Sequence, residues 1–140
     1  PRDLAAGTPV APLLDFFKAN FAYSMRYGWD AENGGFWYWG PFHAPASGRS
    51  KSWWVQAEAL VSALTMYKLT GDAQYKDVFL KTWDFVRKHQ VDWTHGEWWP
   101  EVDENLRARG DKGGLWKAAY HNGRGMIECL ALLEQMRQRR

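Results

Sequence analysis

The feature that most constrains the fold is a pair of helical patterns separated by three turn residues. Apolar residues recur at spacings of three, four and seven over residues 52–69 and again over residues 72–89. This spacing predicts two amphipathic helices. Between them, Thr70-Gly71-Asp72 offers a glycine to end one helix and an aspartate to cap the next. A connection this short predicts an antiparallel helical hairpin.

One side of each helix is predicted to form the core, and two further helices complete the pattern. We expect a helix over about residues 9–27 and a last helix that begins near residues 116–119 and runs to the end. The predicted buried stripes are Trp53, Gln56, Ala57, Leu60, Val61 and Leu64 in the first helix of the hairpin, and Tyr75, Val78, Phe79, Thr82, Trp83 and Val86 in the second.

Two aromatic segments interrupt the helices and resemble each other. Gly34–Trp39 and Gly96–Trp99 each follow a turn signal and each precede a helix, and we expect short strands at 36–39 and 97–99. Residues 101–114 are polar and are expected to form an exposed loop. This weak internal repeat favours helical hairpins arranged so that one set of their ends shares a site.

Composition limits the class of protein. At 140 residues, with 46% apolar and 24% charged residues, residues 1–140 are expected to form a single domain. No apolar run is long enough to span a membrane, and no secretion signal is visible. The net charge of +2 does not favour nucleic acid. The lone Cys129, expected as a buried and inert thiol, fits a cytoplasmic location.

The sequence contains ten tryptophans, which is an unusually large number, and together with one histidine they indicate a candidate site. His121 is predicted to share a helix face with Arg124 and Glu128, where an imidazole can exchange protons with a substrate. A structural histidine beside a surface Arg124–Glu128 pair is the alternative. Trp53 and Trp116 are candidate platforms for stacking on a sugar ring, with core packing as their alternative.

Other chemistry has weaker support in the sequence. His43, His89 and His95 lack the spacing of a zinc site, so we expect no metal, and no nucleotide-binding motif is present. Lys51 and Lys117 are expected to face solvent. A glycosidase-type carboxylate pair remains open among four residues, which are Asp92, Glu97, Glu101 and Asp103.

Several ordered motifs resemble those of the N-acylglucosamine 2-epimerase superfamily, which includes cellobiose 2-epimerases and aldose–ketose isomerases. The matching segments are Lys51–Leu60, Thr70-Gly71-Asp72, Gly96-Glu97-Trp98 and Trp116–Arg124. The resemblance implies an all-α fold, a partial (α/α)6 barrel that corresponds to the C-terminal portion of such a toroid. A partial barrel exposes apolar helix faces, so we expect self-association or pairing with the missing N-terminal part.

The resemblance also implies an isomerase that needs no cofactor. In this family a histidine removes the C2 proton of an open-chain reducing sugar, and return of the proton gives the epimer or the ketose. His121 matches a catalytic histidine, and Trp53 and Trp116 match aromatic residues that line the sugar site. The family's second histidine lies in a His-x-x-Glu motif that these 140 residues lack. The alternatives are a non-catalytic carbohydrate-binding or interaction module and, third, a glycoside hydrolase.

Overall fold

The computed structural model describes residues 10–138, and within them the fold is mostly helical, as predicted. The helices are α1 (Val10–Gly28), α2 (Trp53–Thr70), α3 (Ala73–Phe85) and α4 (Tyr120–Arg137), and α3 continues into a π-helical turn over Val86–Gln90. Short strands β1 (Ser50–Ser52), β2 (Glu101–Asp103) and β3 (Ala108–Arg109) form an antiparallel sheet in the order β1-β2-β3. No helix in this described part is long and apolar enough to cross a membrane.

The predicted hairpin is confirmed, and its turn has the expected chemistry. Gly71 adopts a left-handed conformation with φ of 73°, and its N–H donates to the Tyr67 carbonyl to end α2. The Asp72 carboxylate then accepts a hydrogen bond from the Gln74 N–H at 2.9 Å and caps α3. These two residues fold α3 back along α2.

The core lies on α2, which packs against both α3 and α4. Its predicted stripe is largely correct: Gln56, Ala57, Leu60 and Leu64 are buried, and Trp53 and Val61 are partly buried. Phe85 and Val86 complete this core from α3 and the turn that follows it. Cys129 of α4 joins it as well, and burial raises the pKa of its thiol to about 11, so the thiol stays protonated.

Helix α1 is present as predicted, but its apolar side is mostly uncovered. Leu13, Phe16 and Phe17 are 51%, 66% and 54% exposed. Phe21 and Met25, nearer the end of the helix, do pack against a second core cluster. A cleft of about 700 Å³ separates α1 from α2. An exposed apolar face is what a partial barrel predicts, and the expected self-association or pairing with a missing part remains a prediction.

The predicted strands are misplaced. Segments 36–39 and 97–99 make only isolated bridges, which pair Trp29 with Phe36, Trp39 with Gly48 and Val91 with Trp98. The sheet instead includes residues 101–103 and 108–109, where we expected a loop. The physical reason is that Val102 is fully buried in the core, while Asp103 accepts hydrogen bonds from the N–H groups of Asn105 and Arg107 and turns the chain back.

The internal repeat is confirmed as two copies of one turn, which we call the first turn (residues 29–37) and the second turn (residues 91–99). Asp30 in the first and Asp92 in the second each accept two backbone hydrogen bonds at Oδ1. In each copy, a lysine from a later part of the chain then bonds to two groups of the turn. Lys51 donates to Asp30 and to the Gly34 carbonyl, and Lys112 donates to Asp92 and to the Gly96 carbonyl.

The expectation that Lys51 faces solvent is wrong, because its side chain is only 1% exposed. Its Nζ lies 2.7 Å from Asp30 Oδ2 and 4.1 Å from the centre of the Phe85 ring. Burial lowers the pKa of Lys51, and the Asp30 carboxylate opposes that effect. Burial also disfavours the ionised form of Asp30, but hydrogen bonds led by that from Lys51 outweigh it and lower the Asp30 pKa.

Replacing Lys51 tests how much this pair stabilises the fold. Lys51→Met keeps the apolar stem but leaves Asp30 buried without a cation, so we expect the free energy of unfolding to fall by about 3 kcal/mol. Urea titration monitored by circular dichroism measures the change. The matched control is Lys88→Met at the exposed Lys88–Asp84 pair, which should leave the urea midpoint unchanged. Equal effects of the two substitutions would contradict a stabilising role for the buried pair.

Candidate active site

The candidate site forms where the first turn of α4 faces α2. His121 lies in that turn, and its Nδ1 is 2.8 Å from Oε1 of Glu58 on α2. The imidazole is 22% exposed, so part of the side chain remains open to solvent. The predicted shared face is also present, since Arg124 Nη1 lies 3.0 Å from Glu128 Oε1. Arg124 in addition donates to Glu58, so Glu58 binds both residues of α4.

Charge on Glu58 determines which nitrogen of His121 is free. Partial burial disfavours ionisation of Glu58, but hydrogen bonds from Arg124 and then His121 outweigh it, and they lower the Glu58 pKa. An ionised carboxylate only accepts hydrogen bonds, so Nδ1 of the neutral His121 ring must carry the proton that it donates. Nε2 then has a free lone pair. The arrangement therefore makes His121 Nε2 a base whose orientation is set by Glu58.

Aromatic rings surround His121. The ring centres of Tyr120, Trp54 and Trp53 lie 4.0, 5.9 and 6.5 Å from that of His121. Tyr120 is 62% exposed and Trp54 is 36% exposed, whereas Trp53 packs against the core. Trp54 was not among the predicted site residues. The sequence could have indicated Trp54 through its position four residues before Glu58 on α2, because residues with this spacing share a helix face.

The two predicted tryptophans have different surroundings. The Trp53 indole is inclined at 75° to the His121 ring, and its Nε1 is buried without a hydrogen-bond partner in the described structure. Trp116 is 85% exposed in the bend before α4, because that helix begins at Tyr120 rather than at residues 116–119 as we expected. Sugar stacking by Trp53 and Trp116 stays a prediction.

A second cluster joins the second turn to the start of α4. Glu97 Oε1 accepts a hydrogen bond from Asn122 Nδ2 at 2.6 Å and lies 3.0 Å from Lys117 Nζ. Lys117 is 6% exposed, so the expectation that it faces solvent is wrong. The sequence pattern gave no signal for this contact, because the partners are 20 and 25 positions apart in the chain.

Three of the four carboxylates considered for glycosidase chemistry have lowered pKa values. The hydrogen bond from Lys112 leads the groups that lower the pKa of Asp92, and the N–H of Arg107 does the same for Asp103. Burial opposes ionisation of Glu97, but the Trp98 N–H, Lys117 and Asn122 outweigh it and lower its pKa. A glycosidase acid needs the opposite shift. Among residues 10–138, no group of three or more His, Cys, Asp or Glu side chains is placed to hold a metal ion.

Comparison with known proteins identifies the family. Residues 3–122 match the sequence model of the N-acylglucosamine 2-epimerase family. The chain belongs to this family. It is similar to a cellobiose 2-epimerase from Bacteroides fragilis, with 41% identity over 80 residues that cover 56% of this chain and 20% of that protein. It is also similar to a D-mannose isomerase from Marinomonas mediterranea, with 32% identity over 119 residues that cover 83% of this chain and 30% of that protein.

Solved structures of the family share the fold. A crystal structure of a D-mannose isomerase superposes with a TM-score of 0.79 and 31% identity, covering 84% of this chain and 30% of that one. The predicted all-α, partial (α/α)6 barrel is thereby confirmed. The chain spans 20–30% of the length of the two sequence relatives described above.

The ionised state of Glu58 predicts a pH-dependent contribution to stability. Because folding lowers the Glu58 pKa, this contribution is complete above the unfolded value of about 4.3 and is lost as the pH falls through the folded value. We expect Glu58→Gln to lower the melting temperature by about 3 °C at pH 7, and by progressively less below about pH 4. Melting curves between pH 3 and 7 measure this. Glu104→Gln, at an exposed loop position, is the control, and a constant deficit for Glu58→Gln at every pH would contradict the assignment.

Proposed function

We propose that the chain supplies part of the proton-transfer site of a sugar 2-epimerase or aldose–ketose isomerase. The observation that carries this is the contact of His121 Nδ1 with the ionised Glu58, which leaves Nε2 free as a base. Family membership supports the same chemistry, and the relatives named for cellobiose and mannose point to reducing sugars. The exposed rings of Trp54 and Tyr120 supply apolar faces for a sugar beside that base.

The proposed reaction begins at C2 of an open-chain aldose. His121 Nε2 removes the proton next to the carbonyl, and the electron pair moves onto the carbonyl oxygen to give an enediolate. That oxygen needs hydrogen-bond donors as its charge develops. Arg124 fits this role, because it is 46% exposed and its bonds to Glu58 and Glu128 leave other guanidinium N–H groups free.

The direction of proton return decides the product. One base on one face of the enediolate can return the proton to C2 on the same face, or deliver it to C1 and form the ketose. Inversion at C2 requires a second acid on the opposite face. The sequence lacks the His-x-x-Glu motif that carries this group in the family. We therefore infer that residues 1–140 act as the C-terminal portion of an (α/α)6 toroid whose N-terminal part supplies the second histidine.

This inference extends to the partner and to the cellular location. The exposed apolar side of α1 and the cleft beside α2 fit pairing with the N-terminal part of the toroid, or self-association. The reaction needs no metal or redox cofactor. We infer a cytoplasmic protein that acts on small sugars and binds neither nucleic acid nor a membrane, and Cys129 is consistent with such a reducing compartment.

The alternative is a non-catalytic module that binds a carbohydrate or a partner. The absence of a second histidine motif from the sequence favours it. Such a module would bind reducing sugars without exchanging any proton. A glycoside hydrolase is disfavoured by the lowered pKa values of Asp92, Glu97 and Asp103. That activity would instead release reducing ends from an oligosaccharide.

Solvent-deuterium incorporation tests the proposal at the proton-removal step, for which His121 is the proposed base. The chain is incubated in D2O with mannose, glucose, N-acetylglucosamine or cellobiose, and deuterium at C2 is measured by NMR. We expect incorporation with at least one sugar, and a loss of more than about 100-fold in His121→Asn because the base is removed. His95→Asn is the control, since His95 is exposed on the second turn.

Three outcomes separate the alternatives. Exchange that disappears in His121→Asn, with unchanged circular dichroism, supports the isomerase. Sugar binding by calorimetry without exchange supports the carbohydrate-binding module. No exchange with any of these sugars, both for this chain and for a longer protein that supplies a His-x-x-Glu motif, contradicts the proposed chemistry.

A further inference from the structure

The two copies of the turn differ at one backbone position. The first turn passes through Gly34 and Gly35 with φ of 75° and 78°. The second passes through Gly96 and Glu97 with φ of 79° and 68°. Glu97 therefore occupies, in the same left-handed conformation, the place that glycine occupies in the first copy. Side chains other than glycine strain the backbone there.

The helix that follows each turn contacts it in a different way. In the first copy, Gln56 of α2 accepts from the Phe36 N–H and donates to the Phe36 carbonyl, both at 2.8 Å. A Cβ on Gly35 would lie 2.7 Å from Gln56 Oε1, so only glycine fits beside that contact. In the second copy, α4 presents Asn122, and its amide meets the Glu97 carboxylate instead of the backbone. In the first copy the longer side chain, Gln56, is on the helix, whereas in the second copy the longer side chain, Glu97, is in the turn.

The Glu97 carboxylate joins three groups. It accepts hydrogen bonds from the Trp98 N–H and from Asn122 Nδ2, both at 2.6 Å, and it lies 3.0 Å from Lys117 Nζ. Lys117 and Asn122 are 6% and 7% exposed, so both contacts are shielded from water. In the chain, Lys117 precedes His121 by four residues and Asn122 follows it directly. Glu97 thus holds the chain on both sides of His121.

We propose that Glu97 is a positioning residue that fixes the first turn of α4, so that His121 stays within hydrogen-bond reach of Glu58. Its side chain touches neither His121 nor Glu58 in the contacts described above, and it acts through Lys117 and Asn122. A glycine at position 97 would remove the backbone strain, but it would also remove the contacts of Glu97 with Lys117 and Asn122. The catalytic consequence rests on the proposed function, whereas the effect on the position of α4 does not.

The test uses two substitutions of Glu97 and one control in the full 140-residue chain. Glu97→Gly reproduces the residue of the first copy, and Glu97→Gln keeps an oxygen that can accept from Asn122. Glu104→Gln is the control, because it removes a carboxylate from an exposed residue outside both the second turn and α4. Each variant is measured by amide hydrogen exchange in the first turn of α4 and by kcat and KM for deuterium incorporation at C2.

We expect Glu97→Gly to speed amide exchange at Asn122 and Gly123 at least about 10-fold and to lower kcat at least about 10-fold, with KM within about 3-fold. Glu97→Gln should have a smaller effect on both measures than Glu97→Gly, because it keeps the acceptor for Asn122 and loses only the charge beside Lys117. Glu104→Gln should leave both unchanged. If Glu97→Gly does not fold, Asn122→Ala removes the same contact from the α4 side and is judged by the same two measures.

The outcomes are distinct. Unchanged amide protection in Glu97→Gly overturns the proposal, and so does faster amide exchange with an unchanged kcat. If the wild-type chain incorporates no deuterium at C2, the longer protein that supplies a His-x-x-Glu motif decides the proposed function. The positioning role is then decided by amide protection alone, and equal protection in the wild type and in Glu97→Gly overturns it.

Discussion

The carboxylate of Glu58 on α2 accepts hydrogen bonds from His121 and Arg124 on α4, and the chemistry of the site depends on that contact. Close packing of the two helices beneath it makes the contact possible. A Cβ on Gly125 of α4 would lie 3.4 Å from the carbonyl oxygen of Ala57 on α2. Gly125 thus lies in ordinary contact with α2 beneath the site. The core therefore controls the distance from His121 to Glu58, although neither residue is itself fully buried.

The same site is held from its other side by the turn repeat. Each copy places an aspartate whose carboxylate accepts hydrogen bonds from the next backbone N–H groups, and each is closed by a lysine. The buried Lys51 connects the first turn to β1, which pairs with β2 just after the second turn. Glu97 extends the second turn towards α4. The loops around His121 thus form a connected framework of ion pairs and short strands.

Much of the helical framework was predictable from the sequence, because apolar periodicity and Gly71-Asp72 determine the hairpin locally. His121 was also placed correctly near the start of the last helix. The short strands were not predictable, because two or three residues carry no measurable alternation. The burial of Lys51 and Lys117 depends on partners about 20 positions away, and composition alone places lysine on the surface.

Trp54 shows a further limit of the sequence pattern. Neighbouring residues on a helix point in different directions, so the Trp53-Trp54 pair had to place one ring nearer the core and one nearer the solvent. The pattern does not say which. The structure brings the partly exposed Trp54 to His121 and packs Trp53 against the core, while the Trp53 ring centre still lies 6.5 Å from that of the imidazole.

The central claim is that Glu58 holds His121 in one tautomer, with the proton on Nδ1 and a free lone pair on Nε2. The most direct measurement is the ¹⁵N chemical shifts of the His121 ring nitrogens, recorded at a pH where the ring is neutral. We predict a protonated Nδ1 and an unprotonated Nε2 in the wild type, and averaging of the two shifts in Glu58→Gln. A wild-type ring with its proton on Nε2, or with averaged shifts, would contradict the account.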